Sequence, residues 1–196
     1  MRADEPLQAA RILIVDDQEA NVRLLERVLA RAGYPNVLST SDPTQVGGLY
    51  REHEPDLIVL DLLMPVMDGY EVMQELSKHI PPNAYVPILV ITADSTPEAR
   101  RRALSMGARD FLTKPFDHDE ALLRIRNLLE TRSLHLRVQQ ENEVLEERVK
   151  ARTAELTRSL ELLERTAEQR KILLSKMAEV QRLAEAVPAD AEVSAP

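Results

Sequence analysis

The sequence has no cysteine and no tryptophan, only five glycines, and aromatic residues make up just 3% of it. Without cysteine there is no disulfide, no thiolate metal site, no iron–sulfur cluster and no thiol nucleophile. Few aromatics and a net charge of −8, from 25 Lys and Arg against 33 Asp and Glu, argue against a base-stacking platform or a basic DNA-binding face. No nucleic-acid partner is expected. No apolar run approaches the roughly 18 residues of a membrane span. The opening MRADEPLQAA lacks the apolar core of a secretory signal. The expectation is a cytoplasmic protein with no membrane partner.

The helix breakers are unevenly placed. All five glycines precede residue 108, and from Phe116 to Val187 there is neither glycine nor proline. That stretch is mostly Leu, Glu, Arg, Gln and Ala, which favour helix. Most of the net charge, −6 of −8, falls in residues 1–118. The chain therefore reads as a tail over 1–10, a globular domain over 11–118, a long helix over 119–187 and a disordered tail over 188–196.

In the globular part, short apolar runs alternate with amphipathic stretches. The runs are RILIV (11–15), NVLST (36–40), LIVL (57–60), VPILVIT (86–92) and DFLT (110–113). Between them, residues 18–32, 43–53, 70–79 and 97–106 read as helices. Asp42-Pro43 and Thr96-Pro97 each pair a polar N-cap with proline at the first helical position. Runs this short and apolar on both faces suit buried parallel strands. Five strands alternating with helices give an α/β domain, a doubly wound five-stranded parallel sheet of flavodoxin-like order 2-1-3-4-5.

The long helix opens at Asp117, with Glu120 three residues on as a capping-box-like pair and Phe116 and Ala121 placed as a weak staple. Its seam runs Leu134, Val138, Glu141, then Leu145, Val149, Arg152, then Leu156, Leu160, Leu163, each trio eleven residues after the last. From Arg170 the spacing becomes heptad-like through Leu174 and Met177. One reading is a solvated helix laced with charge pairs. The other is a parallel dimeric coiled coil, because one narrow apolar stripe finds nothing else in the chain to cover it. The homodimer through 119–187 is the favoured expectation.

Ligands of such a fold bind beyond the carboxyl ends of the strands. There the first strand ends in Asp16 and Asp17, the third in Asp61, the fourth in Thr92 and the fifth in Thr113 and Lys114. In the order 2-1-3-4-5 these converge. Three clustered carboxylates repel one another unless a cation neutralises them, and oxygen-only donors point to Mg²⁺. One carboxylate is then free to act as a nucleophile toward phosphorus, with Lys114 and the metal stabilising the charge. Thr92 offers a hydroxyl to the attached phosphate, and Ala93 leaves room for it.

ILIVDD (12–17), LIVLDLLMPVMDG (57–69), VITA (90–93) and GARDFLTKPF (107–116) together resemble the CheY-like receiver domains of two-component response regulators, over roughly residues 10–130. The resemblance implies that Asp61 is the phosphoacceptor of a partner histidine kinase. It further implies that Asp17, Asp61 and the Leu63 backbone carbonyl hold Mg²⁺ directly and Asp16 through water. Thr92 and Phe111 become the switch pair, Lys114 the phosphate partner, and the Lys114-Pro115 bond cis. The aromatic position holds Phe111, which carries no hydroxyl. The position two after the phosphoacceptor holds Leu63, which cannot orient an attacking water, so slow self-dephosphorylation is expected. Phosphatases of the haloacid dehalogenase type need a second acid at that position, so an enzyme is not expected beyond self-phosphorylation from small phosphodonors.

The four histidines are scattered, and Arg100, Arg101 and Arg102 read as a solvated face or as a partner contact. Residues 127–156 are similar to the linker that follows receivers in HD-GYP-type regulators. The resulting expectation is a dimeric response regulator acting through its coiled coil on an unknown downstream protein. The alternatives are a phosphorelay intermediate or phosphate sink with a static helix, and a fragment of a longer regulator with an HD-GYP-type output domain.

Overall fold

The computed structural model describes residues 5–185. A one-turn helix α1 (Glu5–Gln8) precedes β1 (Ile12–Val15), α2 (Glu19–Arg31), β2 (Val37–Thr40), a 3₁₀ turn (Pro43–Gln45) and α3 (Val46–His53). Then come β3 (Leu57–Leu60), α4 (Gly69–His79), β4 (Ile88–Thr92), α5 (Pro97–Ser105), β5 (Asp110–Thr113) and α6 (His118–Glu185). All strands are parallel and their order is β2-β1-β3-β4-β5. This is the doubly wound sheet the sequence pattern calls for, followed by a long helix. The end of the expected helix, residues 186 and 187, and the expected tail, residues 188–196, lie outside the described residues.

The period-two alternation of strand side chains divides the apolar residues between two cores. Ile12, Ile14, Val59, Ile91 and Leu112 face α2 and the first turns of α6, where Leu25, Leu29, Ala121, Ile125 and Leu129 meet them. Leu13, Val15, Ile58, Leu60 and Val90 face α3, α4 and α5 on the other side. Full burial of such a side chain stabilises by roughly 1.5–3 kcal/mol, so the first turns of α6 are part of the fold. Leu7 and Ala10 are buried in the first core as well. The amino-terminal segment expected as a tail thus contributes packing from residue 7 onward.

Both expected proline caps form. Asp42 accepts from the Thr44 amide and Thr96 from the Ala99 amide. The 43–53 stretch begins as a 3₁₀ turn before becoming helical at Val46. The fourth strand starts at Ile88 rather than Val86, since Pro87 has no N–H to give to a ladder and offers only its carbonyl, to Ile58. At Asp117 half of the expected box forms. Its carboxylate accepts from the Asp119 and Glu120 amides, while the Glu120 side chain turns to Arg124 instead.

Val66 stands in the loop between β3 and α4 with φ at 70° and 92% of its surface exposed. A β-branched residue in the left-handed region costs roughly 1–2 kcal/mol, and at this exposure no packing repays it. Val66→Asn, which tolerates that conformation, is therefore expected to stabilise the protein by about 1 kcal/mol. An unchanged midpoint in thermal or urea unfolding would show that the loop carries no such strain.

Candidate functional site

At the carboxyl edge of the sheet the ends of β1 and β3 place three carboxylates together. One oxygen each of Asp16, Asp17 and Asp61 lies within 4.8 Å of the others. Asp16 and Asp61 are buried. Lys114, just beyond β5, donates from Nζ to Asp16 Oδ2 at 2.6 Å and to Asp61 Oδ2 at 2.7 Å. The Lys114-Pro115 peptide is cis, and the Lys114 amide donates to the Thr92 carbonyl at 2.8 Å. Burial works to lower the lysine's pKa, but its hydrogen bonds to Asp16 and Asp61 prevail and raise it above the ordinary value. It is a cation throughout the physiological range.

Each carboxylate has a distinct environment. Asp16 is the most constrained, its Oδ1 accepting from the Gln18 amide at 2.9 Å and both its oxygens from the Asn21 side-chain amide. Asp61 Oδ1 accepts from the Leu63 amide at 3.2 Å. Asp17 Oδ1 is buried without a hydrogen-bond partner. Burial, then the charges of Asp16 and Asp61, raise the pKa of Asp17. An anionic oxygen left unsatisfied beside two further carboxylates is the signature of a site built for a cation. The all-oxygen donor set suits a hard divalent ion.

Because its folded-state pKa is raised, Asp17 opposes folding increasingly as pH rises from its ordinary value through the raised one. At neutral pH, in chelator, Asp17→Asn is expected to raise the melting temperature, and added Mg²⁺ to stabilise the wild type alone. Equal stabilisation of both proteins by Mg²⁺ would remove Asp17 from the ligand set.

The other expected residues fall as follows. Thr92, fully buried at the end of β4, accepts at Oγ1 from the Asp94 amide at 3.4 Å. Phe111 is buried in the second core with 6% exposure. Leu63 is exposed on the loop after Asp61. The arginine run on α5 is divided: Arg101 pairs with Glu98, while the Arg102 guanidinium sits 3.8 Å above the Tyr70 ring of α4.

Sequence reasoning missed Asn21 and gave Gly69 only a part in shaping the loop after Asp61. Asn21 orients Asp16, and its only signal is a position one turn into the helix that follows the acidic pair. Gly69 opens α4 behind Asp68, whose carboxylate accepts from the Glu71 amide while Glu71 reaches back to the Asp68 amide. A Cβ on Gly69 would stand 2.3 Å from the Asp61 carbonyl oxygen and 2.7 Å from Leu62 Cα. Only glycine lets the helix start pack directly on the backbone that carries Asp61.

The family model of the response regulator receiver domain matches residues 12–126. The chain belongs to that family. PleD, a response regulator of Caulobacter vibrioides, is 43% identical over 120 residues, which is 61% of this chain and 26% of PleD. The ycf27 protein of Porphyridium aerugineum is 40% identical over 123 residues, 63% of this chain and 49% of that protein. The chain thus spans half or less of these curated relatives. Among solved structures, the CheX–CheY–BeF₃–Mg²⁺ complex from Borrelia burgdorferi matches with a TM-score of 0.56 and 26% identity, over 61% of this chain and 88% of the other. The receiver is a phosphoacceptor module of two-component signalling, and no catalytic output domain is found among the described residues. No helix among them is long and apolar enough to cross a membrane.

Proposed function

We propose that this receiver is phosphorylated on Asp61 by a histidine kinase in a Mg²⁺-dependent reaction and acts through a dimeric coiled coil formed by α6. The observation that carries the first part is the Lys114 bridge to Asp16 and Asp61 beside the unpartnered oxygen of Asp17. An Asp61 carboxylate oxygen attacks the phosphorus of a phosphohistidine. The P–N bond breaks, its electron pair stays on the imidazole nitrogen, and an acyl phosphate forms. Asp17, Asp61 and the Leu63 carbonyl would hold Mg²⁺, with Asp16 acting through water. The ion supplies neutralisation of the incoming phosphate's charge. The complex of the Borrelia relative with Mg²⁺ and BeF₃ supports this assignment.

Lys114 is placed to turn one of its hydrogen bonds from a carboxylate to a phosphate oxygen, and Thr92 to donate its hydroxyl to another. Phe111 is already inward, so a switch in this protein works by tightening the Thr92 end of β4 against a ring that is seated beforehand. Leu63 brings no polar side chain to hold a hydrolytic water, so the acyl phosphate is expected to be long-lived. Leu63→Asn is expected to shorten its half-life about tenfold, the order gained by orienting one reactant. A half-life left unchanged would assign the slow step elsewhere.

The exposed apolar side chains of α6, among them Leu145, Val149, Leu156, Leu160 and Leu163, support the coiled coil. The helix is continuous from the core-forming Ile125 and Leu129, so a rotation at its first turns would pass into the coil. Light scattering on the full chain with Mg²⁺, before and after beryllofluoride, tests the proposal. A dimer in either state supports it, and a monomer in both sinks the coiled coil.

A further inference from the structure

At the amino edge of the sheet, the end away from Asp61, a cleft of about 360 Å³ opens where α3 and α4 end and β1 begins. Arg11, just ahead of β1, Arg51 in the last turn of α3 and Arg132 of α6 all line it. Residue 132 lies on the part of α6 that belongs to the same compact unit as the receiver. Glu54 is the one carboxylate in the lining among the described residues. Asp56 is shared by two of the arginines, its Oδ2 3.8 Å from Arg11 Nε and its Oδ1 3.5 Å from Arg132 Nε. Three guanidinium groups thus meet two carboxylates, in a chain whose net charge is −8. His79, also in the lining, draws on Glu75, which Lys78 already shares.

These pairings leave donors unused. The Arg132 side chain is only 13% exposed, and its Nη1 donates to the Tyr85 carbonyl at 2.8 Å. Its Nε is buried with no hydrogen-bond partner. Arg51 is exposed and has no ion pair among the described residues. Burial raises the pKa of the Tyr50 hydroxyl in the lining, which keeps it a neutral donor at physiological pH. Cations at helix C-termini ordinarily offset the partial negative charge of the last carbonyls, which accounts for Arg51 and His79. It does not account for Arg132, in the interior of α6, or for Arg11, which precedes a strand.

Guanidinium forks from three elements beside the apolar wall of Pro55, Pro81 and Val86 make the pattern of a small-ligand site. The cleft's size falls in the range of roughly 300–1,000 Å³ usual for such sites. A phosphate can offer three oxygens to three forks where a carboxylate offers two. We infer that this cleft binds a small phosphomonoester, its phosphate among Arg11, Arg51 and Arg132 and its carbon body on Pro55, Pro81 and Val86. The site is separate from Asp61 and needs neither the metal nor the dimer. Through Arg132 such a ligand touches the root of α6 as well as the sheet edge.

The test is calorimetric titration of the full chain with AMP, ribose 5-phosphate and inorganic phosphate, in chelator so that the acidic cluster at Asp61 repels anions. At least one of the two esters is expected to bind with Kd below about 1 mM, about tenfold or more tighter than inorganic phosphate, and more weakly as salt is raised. Arg51→Glu is expected to lose about tenfold or more of that affinity. Arg100→Glu makes the same charge change on the exposed face of α5 and is expected to bind as the wild type does. Thermal unfolding checks that both variants are folded, and Arg51→Met carries the same expectation should Arg51→Glu fail to fold. Esters that bind no more tightly than inorganic phosphate overturn the site. So does an Arg51 variant that binds as the wild type does, or an equal loss in the Arg51 and Arg100 variants.

Discussion

Asp61→Asn is expected to take up no phosphate at all, from a kinase or from a small donor such as acetyl phosphate. The amide keeps the shape of the side chain and an oxygen that can accept from the Leu63 amide, but its nitrogen and carbonyl are too weakly nucleophilic to displace a phosphorus leaving group. The wild type with Mg²⁺ should gain the mass of one phosphoryl group, held in a linkage that hydroxylamine cleaves as it does an acyl phosphate. The variant should gain none. Asp16 and Asp17 are the competing acceptors within 4.8 Å. Asp16 is occupied by Gln18, Asn21 and Lys114, and one Asp17 oxygen is buried without a hydrogen-bond partner. Labelling that persists in Asp61→Asn would move the acceptor to one of these two, and peptide mapping would say which.

Removing the lysine has the second large effect. Lys114→Met keeps the aliphatic stem and deletes the ammonium that two buried carboxylates share. Breaking a buried pair from one side costs about 3 kcal/mol, because the remaining charge has lost both solvent and partner. In a domain of this size that lowers the melting temperature by on the order of 10 °C. The raised pKa of Lys114 gives the sign of the pH dependence. The stability contributed by its pairing is complete below its ordinary pKa and is lost only as pH rises through the raised value. Wild type and variant should therefore differ across the whole neutral range. Mg²⁺ should recover a larger share of stability in the variant, since an added cation can neutralise the carboxylates the lysine has left. A variant as stable as the wild type in chelator would mean that the three carboxylates relax apart without a cation.

The strand-end residues were legible because a parallel sheet leaves little choice about where its polar side chains go. An aspartate that ends a run of buried apolar residues must emerge at the carboxyl edge, and neighbouring strands bring such residues together. The long helix was legible for a different reason, the lack of any glycine or proline between Pro115 and Pro188. Asn21 was not legible, since an asparagine in the first turns of a helix has many uses, and only the position of Asp16 makes this one specific. Gly69 was hidden in a motif that drew attention to Asp61. The constraint on it is a close approach of two backbones, which no pattern of residue types displays.

The division of the first core between α2 and the first turns of α6 also governs the order in which the protein can be completed. β1, α2, β3, β4 and β5 all precede Ala121, Ile125 and Leu129 in the chain and leave the ribosome ahead of them. Until those residues emerge, the face of the sheet that carries Ile14, Val59 and Ile91 has only half its cover, and the nascent sheet stays open to solvent on that side. Emergence of the first turns of α6 is thus the event that lets the receiver finish folding, so a chain interrupted before Leu129 is exposed to chaperones and proteases.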